Sequence, residues 1–332
     1  MLLFQQTKGQ KTTSNYWNGN RPDGHAPISI MADHYHSSGG IMLSYRFMNM
    51  DMEGLVNGSN TISNDEAHSA GYMVTPLKMT MEMHMFGLMY APSNKITLLG
   101  MLHIVKNDMN LQMKMMESTT PFSTSSSGFG DLKLGIIYNF LNKTQNSLHG
   151  NLTFSFPTGS FSKTDETPMS FPKKTQLPYP MQIGSGTFDT NVGITYLGQK
   201  KVYSWGSQVK STFRFGENAN DYALGNTYTL NNWFAIKATN WLSFSARIEG
   251  IIVDKIRGIN TNLKPMMVTT ANTSNSGGKF VNKAFGCNLY APNGKLKTLR
   301  FGLEYSAPFY QKPKGIQLKL KETITVGLQY AL

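Results

Sequence analysis

Methionine and histidine crowd the first third of this 332-residue chain. Of its 21 methionines, 17 fall between Met1 and Met116, and six of the seven histidines precede residue 104. The methionines recur at alternate positions: Met48, Met50 and Met52, then Met79, Met81, Met83, Met85 and Met89, then Met101, Met109, Met113 and Met115. Thioether sulfur is soft and uncharged, which suits Cu(I) and suits Zn(II) or Mg(II) poorly. On an extended chain alternate residues share a face about 6.6 Å apart, and the next strand lies ~4.8 Å away. Sulfurs from two or three strands can therefore meet around one ion, and a row of such sites would pass a soft ion along by ligand exchange. Methionine also fills irregular apolar space and lines adaptable surfaces that hold hydrophobic molecules. Both readings stay open here: a soft-metal ladder for Cu(I), or a flexible apolar lining.

The run Asp33-His34-Tyr35-His36 adds nitrogen ligands. An extended His-x-His pair points both imidazoles the same way, a suitable arrangement for divalent copper. His25 and His68 are within reach if their segments are flexible. The expected metal group is thus His34 and His36 together with Met48, Met50, Met52, Met79, Met81, Met83, Met85, Met109, Met113 and Met115. No cofactor is required, and copper is the one candidate for a bound ion.

Enzyme chemistry is not expected. The chain has no Gly-x-Ser-x-Gly elbow, phosphate loop or zincin motif. Lys and Arg exceed Asp and Glu by 31 − 19 = 12, but no basic helical stripe or RNA-binding motif accompanies the excess, so nucleic acid is not an expected partner. The single cysteine, Cys287, precludes an intrachain disulfide and keeps phase with Phe285 and Leu289 on an apolar face.

The elements that must position these residues are strands. Charged residues are only 15 % of the chain, and no apolar run approaches the ~20 residues of a membrane helix. Apolar and polar residues alternate, as in Leu132, Leu134, Ile136, Tyr138 and Phe140 against Lys133, Gly135 and Asn139. The pattern predicts about twelve strands: 41–52, 77–91, 95–115, 130–141, 148–158, 186–197, 201–215, 226–238, 241–256, 279–291, 296–310 and 317–332. Short turns (91–94, 142–146, 198–200, 239–240, 291–294) alternate with long loops near 53–76, 116–129, 159–185, 216–225 and 257–278. Long strands with this alternation predict an all-β fold: one transmembrane antiparallel up-and-down β-barrel in a Gram-negative outer membrane, with short periplasmic turns and long extracellular loops. Residues 1–40 are expected as an extended N-terminal arm, a periplasmic or luminal plug, and 41–332 as the barrel, closed by pairing 317–332 with 41–52. Met1-Leu2-Leu3-Phe4 does not read as a signal peptide, so one is expected to have been removed.

On the expected inward face lie Arg46, Lys133, Lys210, Arg214, Arg247 and Arg300, opposed by Asp189, Glu249 and Glu304. That balance predicts a pore field favouring anions. The methionines of the first strand keep phase with Ser44 and Arg46 and should point inward, while Glu82 and His84 share the opposite face of the second strand and are expected above the hydrocarbon. Lysines at the turns, such as Lys95 and Lys143, suit anionic lipid headgroups.

Several local runs together resemble one family. They include Asp33-His34-Tyr35-His36, the Met42–Met52 and Met79–Pro92 stretches, Gly128-Phe129-Gly130-Asp131, Phe156-Pro157-Thr158-Gly159 and Leu177-Pro178-Tyr179-Pro180. From about His25 to Leu332 the chain is similar to bacterial outer-membrane "transporter" barrels akin to those named for the meta-pathway of phenol degradation. The resemblance implies the fold and the compartment, and little about the solute. The expected function is an outer-membrane channel or binding barrel for Cu(I). The alternatives are a channel for hydrophobic or aromatic small molecules, and a structural subunit whose long loops contact another outer-membrane protein. The expected partners are outer-membrane lipid and a small solute or Cu(I).

Overall fold

In hydrocarbon every backbone N–H and C=O must be paired within the protein, so a sheet can cross only if it closes on itself. The computed structural model describes residues 17–116, 118–143 and 145–332, and its sheet does close. The strands are β1 Ile41–Asn57, β2 Asn60–Ile62, β3 Val74–Tyr90, β4 Ile96–Met115, β5 Ser118–Phe129, β6 Leu132–Lys143, β7 Asn146–Phe156, β8 Thr164–Glu166, β9 Lys174–Gln176, β10 Phe188–Lys200, β11 Tyr203–Phe215, β12 Tyr222–Ala223, β13 Thr227–Lys237, β14 Leu242–Val253, β15 Arg257–Gly258, β16 Gly278–Tyr290, β17 Arg300–Pro313 and β18 Ile316–Ala331, with one short helix, α1 Asn64–Ser69. Twelve of them form an antiparallel circuit, β1-β3-β4-β6-β7-β10-β11-β13-β14-β16-β17-β18. The expected closure is present: β18 pairs with β1 from Met42↔Ala331 to Asn57↔Ile316.

The two faces are inverted relative to a soluble protein. Phe285 is 63 % exposed, Ile248 61 % and Val209 56 %, whereas Arg247 is 5 % and Glu304 2 % exposed. The apolar residues outside form the belt that contacts lipid, and the charged residues face the lumen. The barrel therefore belongs in the outer membrane.

Several strands are far longer than the ~9–11 residues needed to cross a bilayer. β4 has 20 residues, and β1 and β3 have 17 each. Their outer parts carry outward ion pairs, Lys106–Asp108 at 2.8 Å and Lys321–Glu53 at 2.7 Å. These pairs mark the portion that stands above the hydrocarbon. His84, on the same outward side of β3, meets the Tyr45 hydroxyl at 2.9 Å and the Phe47 ring at 5.1 Å.

Three expectations are corrected. Residues 118–129, expected within the long loop near 116–129, form β5, which pairs with the outer half of β4 from Met115↔Ser118 to Ile104↔Phe129. The segment pairs because β4 offers an edge that β6 does not reach, since β6 takes only Ile96–Met101, and its three threonines suit a strand. The turn expected at 198–200 lies at 201–202, where Lys201 has φ +50°, so β10 extends through Lys200. The strand expected from 296 starts at Arg300, because 291–299 make a longer connection.

The first 16 residues of the expected arm lie outside the described residues. Residues 17–40 fold into the short-turn, periplasmic end of the lumen and form no strand or helix. Their carbonyls instead accept hydrogen bonds from barrel side chains. Arg300 donates to Pro22 O and Arg21 O, each at 2.8 Å, Arg46 to Ile28 O at 2.9 Å, Ser204 to Asp23 O at 2.8 Å and Gln208 to Met31 O at 3.0 Å. This satisfies backbone that has no ladder of its own. Ile28 sits against Gly302 and Gly327, where an added Cβ would come within 2.7 and 2.8 Å of it. These two glycines make the space that the arm fills. Gly327→Val is expected to expel Ile28 and lift the arm while the barrel stays folded. Planar-bilayer recordings would then show larger or more frequent conductance steps than the parent, with the heat-dependent gel mobility of a folded barrel unchanged. Parental conductance in that variant would mean the arm does not obstruct the lumen.

Candidate functional site

The methionine ladder is assembled by strand register. Met52 stands opposite Met79 and Met79 opposite Met109, giving one row across β1, β3 and β4. The next rows inward are Met50–Met81–Asn107, Met48–Met83–Val105 and Arg46–Met85–His103. All share the inward face with Arg46. The ladder therefore changes character along the lumen, from methionine at the outer end to polar side chains toward the middle.

At the outer end the sulfurs are packed among other apolar groups. Met79, Met109 and Met113 join Val74, Leu111, Leu177, Tyr179, Met181, Leu263, Val268 and Ala271 in one buried cluster, with Met52 and Met81 against it. Leu177 through Met181 and Leu263 through Ala271 come from the long extracellular segments, which fold down onto the barrel mouth. Met48, Met50, Met83 and Met85 are half-buried further in. Met115 is not part of the group: it ends β4 at the hairpin tip and is 54 % exposed.

A string of cavities descends from this mouth. The outermost, about 270 Å³, is bounded by Met109, Leu111, Met113, Phe122, Leu263 and Met267. It shares Met109 with a cavity of about 390 Å³ that reaches Met52, Met79 and Arg214. That one shares Gln182, Arg214 and Leu224 with a polar cavity of about 210 Å³, lined also by His103, Asp131, Lys133 and Asp189. Lys133 and Asn191 then adjoin the innermost, about 100 Å³, with Lys210 on its wall and Ala32, Asp33 and His34 of the arm as its floor.

The luminal cations divide into two groups. Arg247 is held by Glu304 at 2.6 Å and Glu249 at 3.2 Å, and Arg214 lies 3.5 Å from Asp189. Glu304 also accepts from the Ser29 hydroxyl of the arm at 2.6 Å. Arg46 and Arg300 are committed to arm carbonyls. Among the described residues neither Lys133 nor Lys210 makes an ion pair within 4.0 Å. Among the described residues Arg46, Arg300, Lys133 and Lys210 thus have no carboxylate within 4.0 Å, and of these four the two lysines, which line the innermost cavity, are the ones not directed at arm carbonyls.

The arm histidines gather at the floor. His34 and His36 have ring centroids 4.9 Å apart, and His25 lies against His34 at 3.9 Å with the two rings tilted by 39°. His68 does not join them: it belongs to α1 outside, with Nδ1 2.8 Å from Tyr72 O. Burial, followed by the charges of Arg300 and His34, holds the His25 imidazole well below its ordinary value, and burial with His34 pulls His36 down to about 3. Burial opposes ionisation of Asp33, yet attraction to His34 and its hydrogen bond outweigh this and keep the carboxyl below the usual range.

Sequence reasoning missed Asp131 and the use of Asp33. Asp131 accepts from Gly159 N and Ser185 N, both at 2.9 Å, and so ties the long 157–187 connection to the break between β5 and β6. Its position after Gly130 was visible in the sequence, but the partners lie 28 and 54 residues away.

No protein-family model and no curated relative matches the chain. Solved structures do. The chain is similar to an outer-membrane channel of Pseudomonas putida F1, with 10 % identity, TM-score 0.64, and 91 % of this chain and 99 % of that one covered. It is also similar to a TodX monoaromatic hydrocarbon channel variant (10 % identity, TM-score 0.48, 94 % and 97 % covered) and to the CymD monoaromatic hydrocarbon channel (9 %, 0.41, 89 % and 88 %). At 10 % identity the likeness to the Pseudomonas putida channel is one of fold, that of an outer-membrane barrel.

Because Lys133 and Lys210 line the innermost cavity without an ion pair, replacing both with Glu is expected to turn the lumen toward cations. The check is the reversal potential across a bilayer under a KCl gradient. The parent should favour chloride and Lys133→Glu/Lys210→Glu potassium; an unchanged potential would route ions away from these residues.

Proposed function

We propose that this barrel is a channel for small apolar or aromatic molecules, taken up at its outer mouth. The observation that carries this reading is the mostly apolar cavity of about 270 Å³ among Met109, Leu111, Met113, Leu263 and Met267, with Lys264 also on its wall, adjoining the deeper luminal cavities. An apolar cavity of roughly 150 Å³ is enough for benzene, so a single aromatic ring fits. Methionine suits such a surface because its flexible thioether side chain adapts to ligands of different shape and contacts aromatic rings favourably. Met109 and Met113 of the ladder line this cavity and Met79 packs in the same apolar cluster, which favours the apolar reading over a Cu(I) pathway of bare sulfurs. Below the mouth Lys133, Lys210 and Arg214 suit a solute bearing a hydroxyl or carboxylate beside its ring.

The test is uptake of radiolabelled toluene and benzoate by cells carrying the barrel. Leu263→Asp, which puts a charge into the apolar cavity, should slow toluene uptake by at least about tenfold. Changing Met79, Met81, Met83 and Met85 to Leu should leave uptake within about twofold, since Leu and Met are close in volume and apolarity. Uptake indifferent to Leu263→Asp would overturn the reading. Loss of Cu(I) binding and of uptake together in the Leu variant would favour the soft-metal ladder. A barrel that passes neither solute would return attention to a structural role.

A further inference from the structure

We propose that His25, Asp33 and His34 hold a divalent transition-metal ion, Cu(II) or Zn(II), at the floor of the lumen, with His36 beside them as a fourth ligand. The site is distinct from the methionine rows, and it does not depend on which solute the channel passes.

The ligand atoms of His25, Asp33 and His34 lie within 4.8 Å of one another. Metal–nitrogen and metal–oxygen bonds of ~2.0–2.2 Å place ligands roughly 3.3 Å apart around one ion, so small ring rotations complete the geometry. Imidazole with carboxylate is a ligand set for borderline divalent ions, Cu(II) above Zn(II) in affinity, and not for Cu(I) or Mg(II).

The second observation is a set of stranded nitrogens. His25 Nδ1, His34 Nε2 and His36 Nε2 are buried without any hydrogen-bond partner. His34 is only 6 % exposed and Asp33 3 %. Buried polar atoms are almost always paired, and an unpaired cluster of three on adjacent rings calls for a ligand that accepts their lone pairs. Asp33 has the form of a metal-site carboxylate: one oxygen lies 2.8 Å from His34 Nδ1, and the other accepts from Ala26 N at 3.0 Å with His25 Nδ1 at 4.0 Å. It thereby orients His34 and fixes the backbone that carries His25. Arg46 and Arg300 face the cluster from β1 and β17, but their guanidinium groups are directed at arm carbonyls, and the Asp33 carboxylate offsets part of their charge.

An ion here would join residue 25 to residues 33 and 34, cross-linking the arm upon itself. The arm is the floor of the innermost cavity. Metal loading would therefore hold the plug in its folded, obstructing form.

The experiment uses full-length untagged protein, stripped with EDTA, dialysed and offered Cu(II) or Zn(II). One ion per chain is expected by elemental analysis. His25→Ala and His34→Ala should each weaken retention by at least about 100-fold, while His68→Ala in the outer helix leaves it unchanged. Spin-echo spectra of bound Cu(II) in the parent should show modulation from imidazole nitrogens, a readout that needs no variant to fold. Stripping the metal should raise bilayer conductance. Failure of the parent to retain either ion, retention untouched by the His25→Ala/His34→Ala double variant, or a Cu(II) spectrum without imidazole modulation would each overturn the site. Toluene uptake is scored separately, so the metal site and the channel reading fail independently.

Discussion

Closure of the sheet is the constraint on which everything else in this molecule rests. The pairing of β18 with β1 leaves no open edge in the membrane-spanning circuit. With every strand paired on both sides, the only remaining choice at each residue is lipid or lumen, and the pleat alternates the two. Apolar side chains outside and charged ones inside follow from that alternation. So does the placement of six cations on one inner surface, four strands or more apart in sequence in some cases, with no local interaction to bring them together.

An inner surface so polar and so positive needs partners. Part of the need is met by Glu304, Glu249 and Asp189. A further part is met by the arm, whose irregular backbone supplies carbonyl oxygens to Arg300, Arg46, Ser204 and Gln208. The exchange is reciprocal: the arm has no strand ladder, and the barrel side chains serve as its hydrogen-bonding partners. Arg247 and Glu304 also form a buried pair. Removing one member of such a pair typically costs about 3–5 kcal/mol, because the other is left buried and charged. The lumen is thus organised as a filled interior at its periplasmic end and as a series of cavities above.

At the outer end the same three strands that carry the methionine rows run past the membrane surface and meet loops folded inward. Leu177, Met181, Leu263 and Val268 close over Met79, Met109 and Met113. Methionine is well matched to a boundary between a regular wall and irregular loops, since its three rotatable bonds fill gaps of uneven shape. Histidine, at the other end, is gathered where the arm turns back on itself. The outer methionine rows and the arm histidines His25, His34 and His36 therefore occupy two separate places, one at the mouth and one at the floor.

The alternation of residues such as Leu132–Phe140 was enough to read the twelve strands of the circuit and the closing pair, because a two-residue period is a local property of the chain. The individual rows, such as Met52–Met79–Met109, were fixed only by the register of the paired strands. Three further things were not legible. Residues 118–129 look like loop until β4 projects an unpaired edge beside them. The arm has no period at all, and its place in the lumen depends on Arg300, Arg46, Gly302 and Gly327, up to some 300 residues distant. His25 could be assigned to Asp33 and His34 only once the arm had folded back, while His68, equally available in the sequence, was carried away on α1. Local pattern specifies which face a residue takes on a strand; which residues of irregular chain meet, and whether a methionine row is packed or bare, is decided by contacts between segments that share no period.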